Sequence, residues 1–271
     1  RSFYDTDSLT EITIPASVMK IGRAPFYCNG TQAMKRLIIA DSETPLEYAN
    51  IATNDFPWGL DYLTDDITLD YFYLGRDINR VKTGNPLVYN TKELGIGPKV
   101  TIIDDNAFLK CSELTTVTFP GGSHLKSIGT KAFNNCKKMT SFNLGDKLTS
   151  MGEYAFQDCQ LLESITIPGT LKVIPRDAFE RCYALASVTL CEGIEEIGIG
   201  AFYNTVSLAS ITIPASVKKV GRALFYCANT QAMKRMIISD SDTPLEFANG
   251  TESYNYGADY LTDDITLDYF Y

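Results

Sequence analysis

Apolar residues recur along the chain on a fixed period. In one stretch they fall at Leu162, Ile165, Ile167, Leu171, Ile174, Ala178, Phe179 and Cys182, and Leu185 starts the series again. Ile165 and Ile167 alternate with Ser164 and Thr166, which predicts a short strand with one face buried and the other exposed. Pro168 ends that strand, because it cannot donate to a continuing ladder. Leu171 and Ile174 form a second apolar edge, and Ala178-Phe179 has the spacing of one helical or 3₁₀ turn. The phrase Ala-Phe-x-x-Cys appears at Ala107-Phe108 with Cys111, Ala132-Phe133 with Cys136, Ala155-Phe156 with Cys159 and Ala178-Phe179 with Cys182. From Phe133 through Phe156, Phe179 and Phe202 to Phe225 the spacing is 23 residues, and the longer step from Phe108 to Phe133 is explained by an insertion at Gly121-Gly122.

A unit of this length cannot bury its own apolar side, so it becomes stable only when neighbours stack on it and share a core. Unit starts at Leu9, Met34, Leu69, near Thr91, and at Leu114, Met139, Leu162, Leu185, Leu208, Met233 and Leu267 predict about eleven coils. The expected fold is a β-rich right-handed solenoid, with a parallel sheet on one face and short helical turns elsewhere. A single continuous domain is expected over 1–271. Within it a larger cassette is duplicated: Leu9-Thr-Glu-Ile-Thr-Ile-Pro-Ala-Ser-Val18 recurs as Leu208-Ala-Ser-Ile-Thr-Ile-Pro-Ala-Ser-Val217, and Asp61-Tyr-Leu-Thr-Asp-Asp66 as Asp259-Tyr-Leu-Thr-Asp-Asp264. Each copy, at about 31–78 and 230–271, holds one long coil whose extra residues, including Phe56, Pro57 and Trp58 in the first and Tyr254 and Tyr256 in the second, are expected to protrude as loops.

The strand register also predicts what faces outward. If Ile165 and Ile167 point to the core, then Ser164 and Thr166 are exposed, and so are Thr116 and Thr118, Ser141 and Asn143, Ser187 and Thr189, and Ser210 and Thr212. The middle of the sheet becomes a hydroxyl ladder, as strand propensity alone would also favour. Aligning Leu69-x-x-Phe72-x-Leu74 with the repeat turns out Tyr71 and Tyr73, beside Arg36 and Ile38 one coil earlier. The second cassette offers Arg235, Ile237, Tyr269 and Tyr271. Tyr and Arg side by side on an open sheet are the composition of an interface centre, and aromatic pairs also brace sheets.

Composition narrows the function classes. The chain has 271 residues, 45% hydrophobic and 21% charged, which suits a folded protein with a sizeable core. No apolar run approaches the roughly 18 residues of a membrane span. A formal charge of −9 with a pI near 4.7 makes nucleic acid a poor partner. Cys111, Cys136, Cys159 and Cys182 share one repeat position with Thr205 and Ala228, so they read as buried thiols, and no C-x-x-C suggests zinc. Cys28 and Cys227 are equivalent to each other, and Cys191 replaces a strand-ending Pro. The one histidine, His124, falls in the Gly121-Gly122 insertion and reads as an exposed loop residue. Asp61, Asp65, Asp66 and Asp70, with Asp259, Asp263, Asp264 and Asp268, lack the spacing and glycine of an EF-hand loop and read as solvated charge. No catalytic, cofactor or metal site is assigned.

The phrase Leu208-x-x-Ile211-x-Ile213-Pro214-x-x-Val217-x-x-Val220-Gly221 followed by Phe225, and Leu74-Gly75-Arg76-Asp77-Ile78 after the long coil, resemble the BspA-like leucine-rich-repeat proteins of bacterial cell surfaces. That resemblance covers essentially the whole chain. It implies the leucine-rich-repeat α/β solenoid class and a secreted or surface-held bacterial protein that binds host or microbial surface or matrix proteins. Glycan binding is the alternative, because Tyr and Trp rings stack on sugars and Trp58 lies in a protruding loop. Arg1 already falls mid-coil, and Tyr271 stops where Tyr73 continues into Leu74-Gly75-Arg76, so the repeats are expected to extend beyond this chain.

Overall fold

The computed structural model describes residues 8–21, 33–48, 68–79, 87–88, 90–227, 233–247 and 269–270. The expected alternation places the strands correctly. Ile165 and Ile167 are buried on Ser164–Ile167, with Ser164 and Thr166 exposed, and Ser210–Ile213 repeats the pattern. These strands form one row, all parallel and each beside the strand of the next coil. Glu11–Ile14, Arg36–Ile39, Thr68–Leu74, Asn90–Ile96 and Thr116–Thr118 form its first hydrogen-bonded group. Ser164–Ile167 pairs with Ser187–Leu190, and Ser210–Ile213 with Arg235–Ile238 and Tyr269–Phe270. Between the first two groups the row narrows to a single bridge, Ser141 to Ser164. There Phe142 stands where neighbouring coils carry Val117 and Ile165, with its ring edge-on to Phe133 at 4.8 Å and to Phe156 at 5.0 Å.

A second row of two- and three-residue parallel strands runs along the apolar edge read at Leu171 and Ile174. It includes Ser127–Ile128, Ser150–Met151, Val173–Ile174, Glu196–Ile197 and Lys219–Val220. Six coils, from the one that starts at Asn90–Ile96 to the one that starts at Ser210–Ile213, are described around their full circuit of first strand or bridge, second strand and Phe turn. Eleven starts were expected, and fewer circuits are complete among the described residues.

The third side corrects the sequence reading. No helix occurs among the described residues. Around Phe108, Phe133, Phe156, Phe179 and Phe202 the backbone makes a string of turns instead, with a pair of left-handed residues four apart, such as Lys131 and Asn135 (φ 55° and 63°), Tyr154 and Asp158 (59° each), and Asp177 and Arg181 (52° and 57°). Amides then alternate in direction. Ala132, Asn134 and Cys136 donate back three residues within their own turn, while Lys131, Phe133 and Asn135 donate to Glu153 O, Ala155 O and Gln157 O of the next coil at 2.8–3.0 Å. A helix would direct its bonds along its own axis and leave its neighbours unjoined. The left-handed residues cost roughly 1–2 kcal/mol each. The cross-coil bonds, which satisfy amides that would otherwise be buried without partners, offset that cost.

Inside this frame the repeat positions stack as columns. Phe108, Phe133, Phe156, Phe179, Phe202 and Phe225 are fully buried, with successive ring centroids 5.2 to 5.8 Å apart and planes within 15° of parallel. Cys111, Cys136, Cys159 and Cys182 form a second buried column, and none of the four is in a disulfide. The last three lie 3.2–3.3 Å from the Phe carbonyl of the preceding coil, within reach of an S–H donor. Burial pushes the Cys111 thiol up to about 12 and raises Cys136, Cys159 and Cys182 well above the ordinary thiol value. Cys191 and Cys227 are free and half-buried, and Cys28 lies outside the described residues.

Phe156→Ala should therefore cost about 3–5 kcal/mol in urea unfolding, because it opens a cavity between two stacked rings; a loss under about 1 kcal/mol would contradict the register. The four column thiols should resist alkylation in the native chain and react once it is denatured, since a buried protonated thiol is neither accessible nor nucleophilic. Rapid native labelling of any of the four would contradict their burial.

Candidate interaction face

The first strand row presents two outward columns. One runs Glu11, Arg36, Tyr71, Glu93, Thr116 and the other Thr13, Ile38, Tyr73, Gly95, Thr118, each set by the parallel register. Thr116, Thr118, Ser141, Asn143, Ser164, Thr166, Ser187, Thr189, Ser210 and Thr212 are all exposed, so the hydroxyl ladder stands as read. It carries no charged side chain.

Arg36, Ile38, Tyr71 and Tyr73 come together at one end of this ladder. Arg36 is exposed and its Nε lies 3.2 Å from Glu11 Oε2, while its guanidinium carbon sits 4.8 Å from the centre of the Tyr71 ring. An exposed ion pair contributes little, and the ring beneath adds a cation–π contact of about 0.5–1 kcal/mol. Both tyrosines are half-buried, and neither ring simply projects from the sheet. They lean onto the next strand over Gly95, where a Cβ would stand 2.7 Å from Tyr71 Oη and 2.7 Å from Tyr73 Cδ2. Tyr73 Oη donates to Asp41 Oδ1 at 2.9 Å, and a Cβ on Gly97 would stand 2.6 Å from that same hydroxyl. Gly95 and Gly97 thus make the bed on which the rings lie. Neither glycine nor Asp41 was among the residues singled out in the sequence; the available signal was Gly95 in a column where most coils place Thr or Asn.

The phrase Leu74-Gly75-Arg76-Asp77-Ile78 fixes this region from beneath. Arg76 is fully buried and donates to Pro15 O, Ala16 O and Val18 O at 3.1, 3.1 and 2.7 Å, across the intervening coil. Burial lowers its pKa, yet a guanidinium stays charged in a protein. Asp77 points the other way and accepts from Thr101 N, Thr101 Oγ1 and Ile102 N at 2.7, 2.7 and 2.9 Å. Two adjacent residues therefore tie the tyrosine coil to the coil two before it and to the coil after it.

In the second cassette Arg235 pairs in register with Tyr269, matching Arg36 with Tyr71. Arg235 is exposed and Ile237 half-buried; Tyr271 lies outside the described residues, as do Trp58 and the acidic runs beginning at Asp61 and Asp259. Asp70 is described, and its carboxylate lies 2.7 Å from Lys92 Nζ. His124 is exposed. Among the described residues no three or more His, Cys, Asp or Glu side chains group as metal ligands, and no helix is long and apolar enough to cross a membrane.

Burial, and then the hydrogen bond to Asp41, push the Tyr73 hydroxyl from its ordinary 10.0 up to about 12. The fold favours the protonated phenol, so this stabilisation is complete below pH about 10 and is lost as pH rises through about 12. Phenolate absorbance should show a late-titrating step, and Asp41→Asn should lower the part of it that belongs to Tyr73. An unchanged titration in that variant would dissociate Tyr73 from Asp41.

A family model described as BspA type leucine rich repeat region matches the chain in six copies, over residues 1–49 and 90–231. No curated protein matches. Among solved structures the chain is similar to a leucine rich repeat protein of T. pallidum, at 18% identity over 51% of this chain and 78% of that one, with a TM-score of 0.39. It is also similar to a leucine rich cell surface protein of Faecalibacterium prausnitzii A2-165, at 20% identity over 86% and 89% of the two chains, with a TM-score of 0.35. A leucine-rich repeat protein of Bacteroides ovatus ATCC 8483 is 20% identical over 90% of this chain and 75% of that one, with a TM-score of 0.32. The family match spans well over half of the sequence and repeats with the coils, and the chain belongs to the BspA type leucine-rich-repeat family.

Proposed function

We propose that the chain is a non-catalytic adhesion protein, secreted or held at a bacterial cell surface, which binds a host or microbial surface or matrix protein through its first strand row. The observation that carries this reading is the Arg36, Ile38, Tyr71 and Tyr73 patch: an exposed cation on an aromatic ring beside a second ring and an aliphatic side chain, on an open sheet. Interface centres are enriched in these residue types. The rings are held before a partner arrives, by Gly95, Gly97 and Asp41, which lowers the ordering cost of binding. Thr116, Thr118, Thr166, Thr189 and Thr212 would supply the neutral rim beside it. The Arg235 and Tyr269 register offers a related patch in the second cassette. Two such patches on one body would give avidity for a repetitive partner such as a matrix fibre.

One observation favours a second reading, glycan binding. Tyr73 overhangs a glycine beside the Asp41 carboxylate, an arrangement suited to stacking a sugar ring and accepting its hydroxyl protons.

Immobilised extracellular-matrix proteins and a glycan array should be screened with the wild-type chain and with the Tyr71→Ala, Tyr73→Ala double variant. A matrix protein is the expected hit, and the double variant should weaken it by about 2 kcal/mol or more while remaining folded. Retention on the glycan array alone would replace the protein partner with a carbohydrate. Unchanged binding together with lost stability would reduce the tyrosines to braces of the sheet.

A further inference from the structure

A line of polar side chains crosses the middle of the turn side, one per coil. Asn134 Nδ2 donates to Gln157 Oε1 at 2.5 Å, and Gln157 Nε2 donates to Glu180 Oε2 at 2.5 Å. It ends at Glu180, because the next two coils place Tyr203 and Tyr226 in the same column, their rings stacked at 5.3 Å. Glu180 is 9% exposed, and Asp177, three residues earlier in the same turn, is 6% exposed. Asp177 reaches towards the following coil, where its Oδ1 would lie 2.1 Å from a Cβ on Gly200. Gly200, at φ 60°, is the residue that leaves room for this carboxylate.

The charges around the pair are unevenly matched. In its own turn, Arg176 Nε lies 3.1 Å from Asp177 Oδ2 and Arg181 Nη2 lies 3.3 Å from Glu180 Oε1. Arg181 is shared, since its Nη1 also lies 3.5 Å from Asp158 Oδ2. From the preceding coil Glu153, Tyr154 and Asp158 face the pair, and Lys131 sits over the Tyr154 ring at 5.3 Å. From the following coil Gly200 stands against the Asp177 carboxylate. Glu153, Asp158, Asp177 and Glu180 thus gather beside Arg176 and Arg181, and Asp177 and Glu180 are nearly out of water. Placing two negative charges there together is costly.

We propose that Asp177, packed in the same turn as Glu180, is a proton-operated latch in the turn side of the solenoid: a proton taken up by Asp177 in mild acid holds neighbouring turns together, and its loss towards neutral pH loosens them. Burial, and then the charge of Glu180, raise Asp177 to about 6 from its ordinary 3.8, against the pull of Arg176. For a carboxyl raised in this way the stabilisation is complete below pH about 3.8 and is lost as pH rises through about 6. The latch does not depend on the strand-face patch, and its test is separate from any binding partner.

Hydrogen exchange on the full chain reads it directly. The amides of Asp177, Phe179 and Arg181 donate to Ile199 O, Ala201 O and Tyr203 O, and those of Tyr154, Phe156 and Asp158 to Arg176 O, Ala178 O and Glu180 O. After correction for the intrinsic pH dependence of exchange, these amides should open more often at pH about 7.5 than at about 5, by at most about tenfold. Amides of Asn106, Phe108 and Lys110, bonded to Thr130 O, Ala132 O and Asn134 O in a turn without this pair, should not change. Asp177→Asn, or independently Glu180→Gln, should flatten the difference. Equal behaviour in both turns of the wild-type chain, or a pH dependence that survives in both variants, would overturn the latch. The comparison within the wild-type chain decides the matter even if a variant fails to fold.

Discussion

Backbone hydrogen bonds from each coil to the next are the constraint on which the rest of this fold depends. Both strand rows join neighbours, as parallel strands must, and the Phe turns do the same with alternate amides. A coil removed from its neighbours would leave these buried donors and acceptors without partners and would expose one side of every column. Stability therefore belongs to interfaces between coils. The Phe rings lie almost parallel because the backbone that carries them repeats, and the thiols stay reduced and buried because each fills the same small space. Dispersion and apolar burial then add to a framework that hydrogen bonding has already aligned.

The same repetition decides what the surface can offer. A stacked strand row presents side chains in straight columns with no enclosed pocket, so recognition has to come from which residues occupy adjacent positions. Over most of the row these are hydroxyls. At the first cassette they become Arg36, Tyr71 and Tyr73, and the coil that follows gives way with Gly95 and Gly97. Arg76 and Asp77 tie the tyrosine coil to the coil two before it and to the coil that follows, through backbone acceptors and donors. Rings supported in this way would meet a partner with little left to order, which is the physical basis for proposing the patch as a contact centre.

Most of the framework was legible in the sequence, because a repeat converts spacing into position. The 23-residue step placed Phe156 above Phe133, Cys159 above Cys136, and Ser164 and Thr166 on the open face. What stayed illegible depends on contacts between coils. The Ala-Phe spacing suits a helical turn and a string of β-turns equally, and only the bonds from Phe133 N to Ala155 O and its equivalents separate them. The lean of Tyr71 and Tyr73 comes from a glycine about one coil later. Arg76 reads as a surface cation until its three carbonyl acceptors, some sixty residues earlier, are in view. Phe142 looks like any apolar strand residue, yet its coil keeps a single bridge and its ring stands edge-on to Phe133 and Phe156. The Asp177 and Glu180 pair is hidden for the same reason: nothing in a linear reading shows that both carboxyls turn inward.

Removing one coil tests the dependence on neighbours most directly. Deleting residues 160–182, one full period, joins Cys159 to Tyr183 in register and leaves every remaining coil with the neighbour type it had. That chain should keep its β signal by circular dichroism and unfold in a single cooperative transition, shorter by one Phe and one Cys in their columns. Deleting only 160–181 displaces every later column by one position, and that chain should fail to fold cooperatively. If the two deletions behave alike, whether both fold or both collapse, stacking in register is not what holds the molecule together.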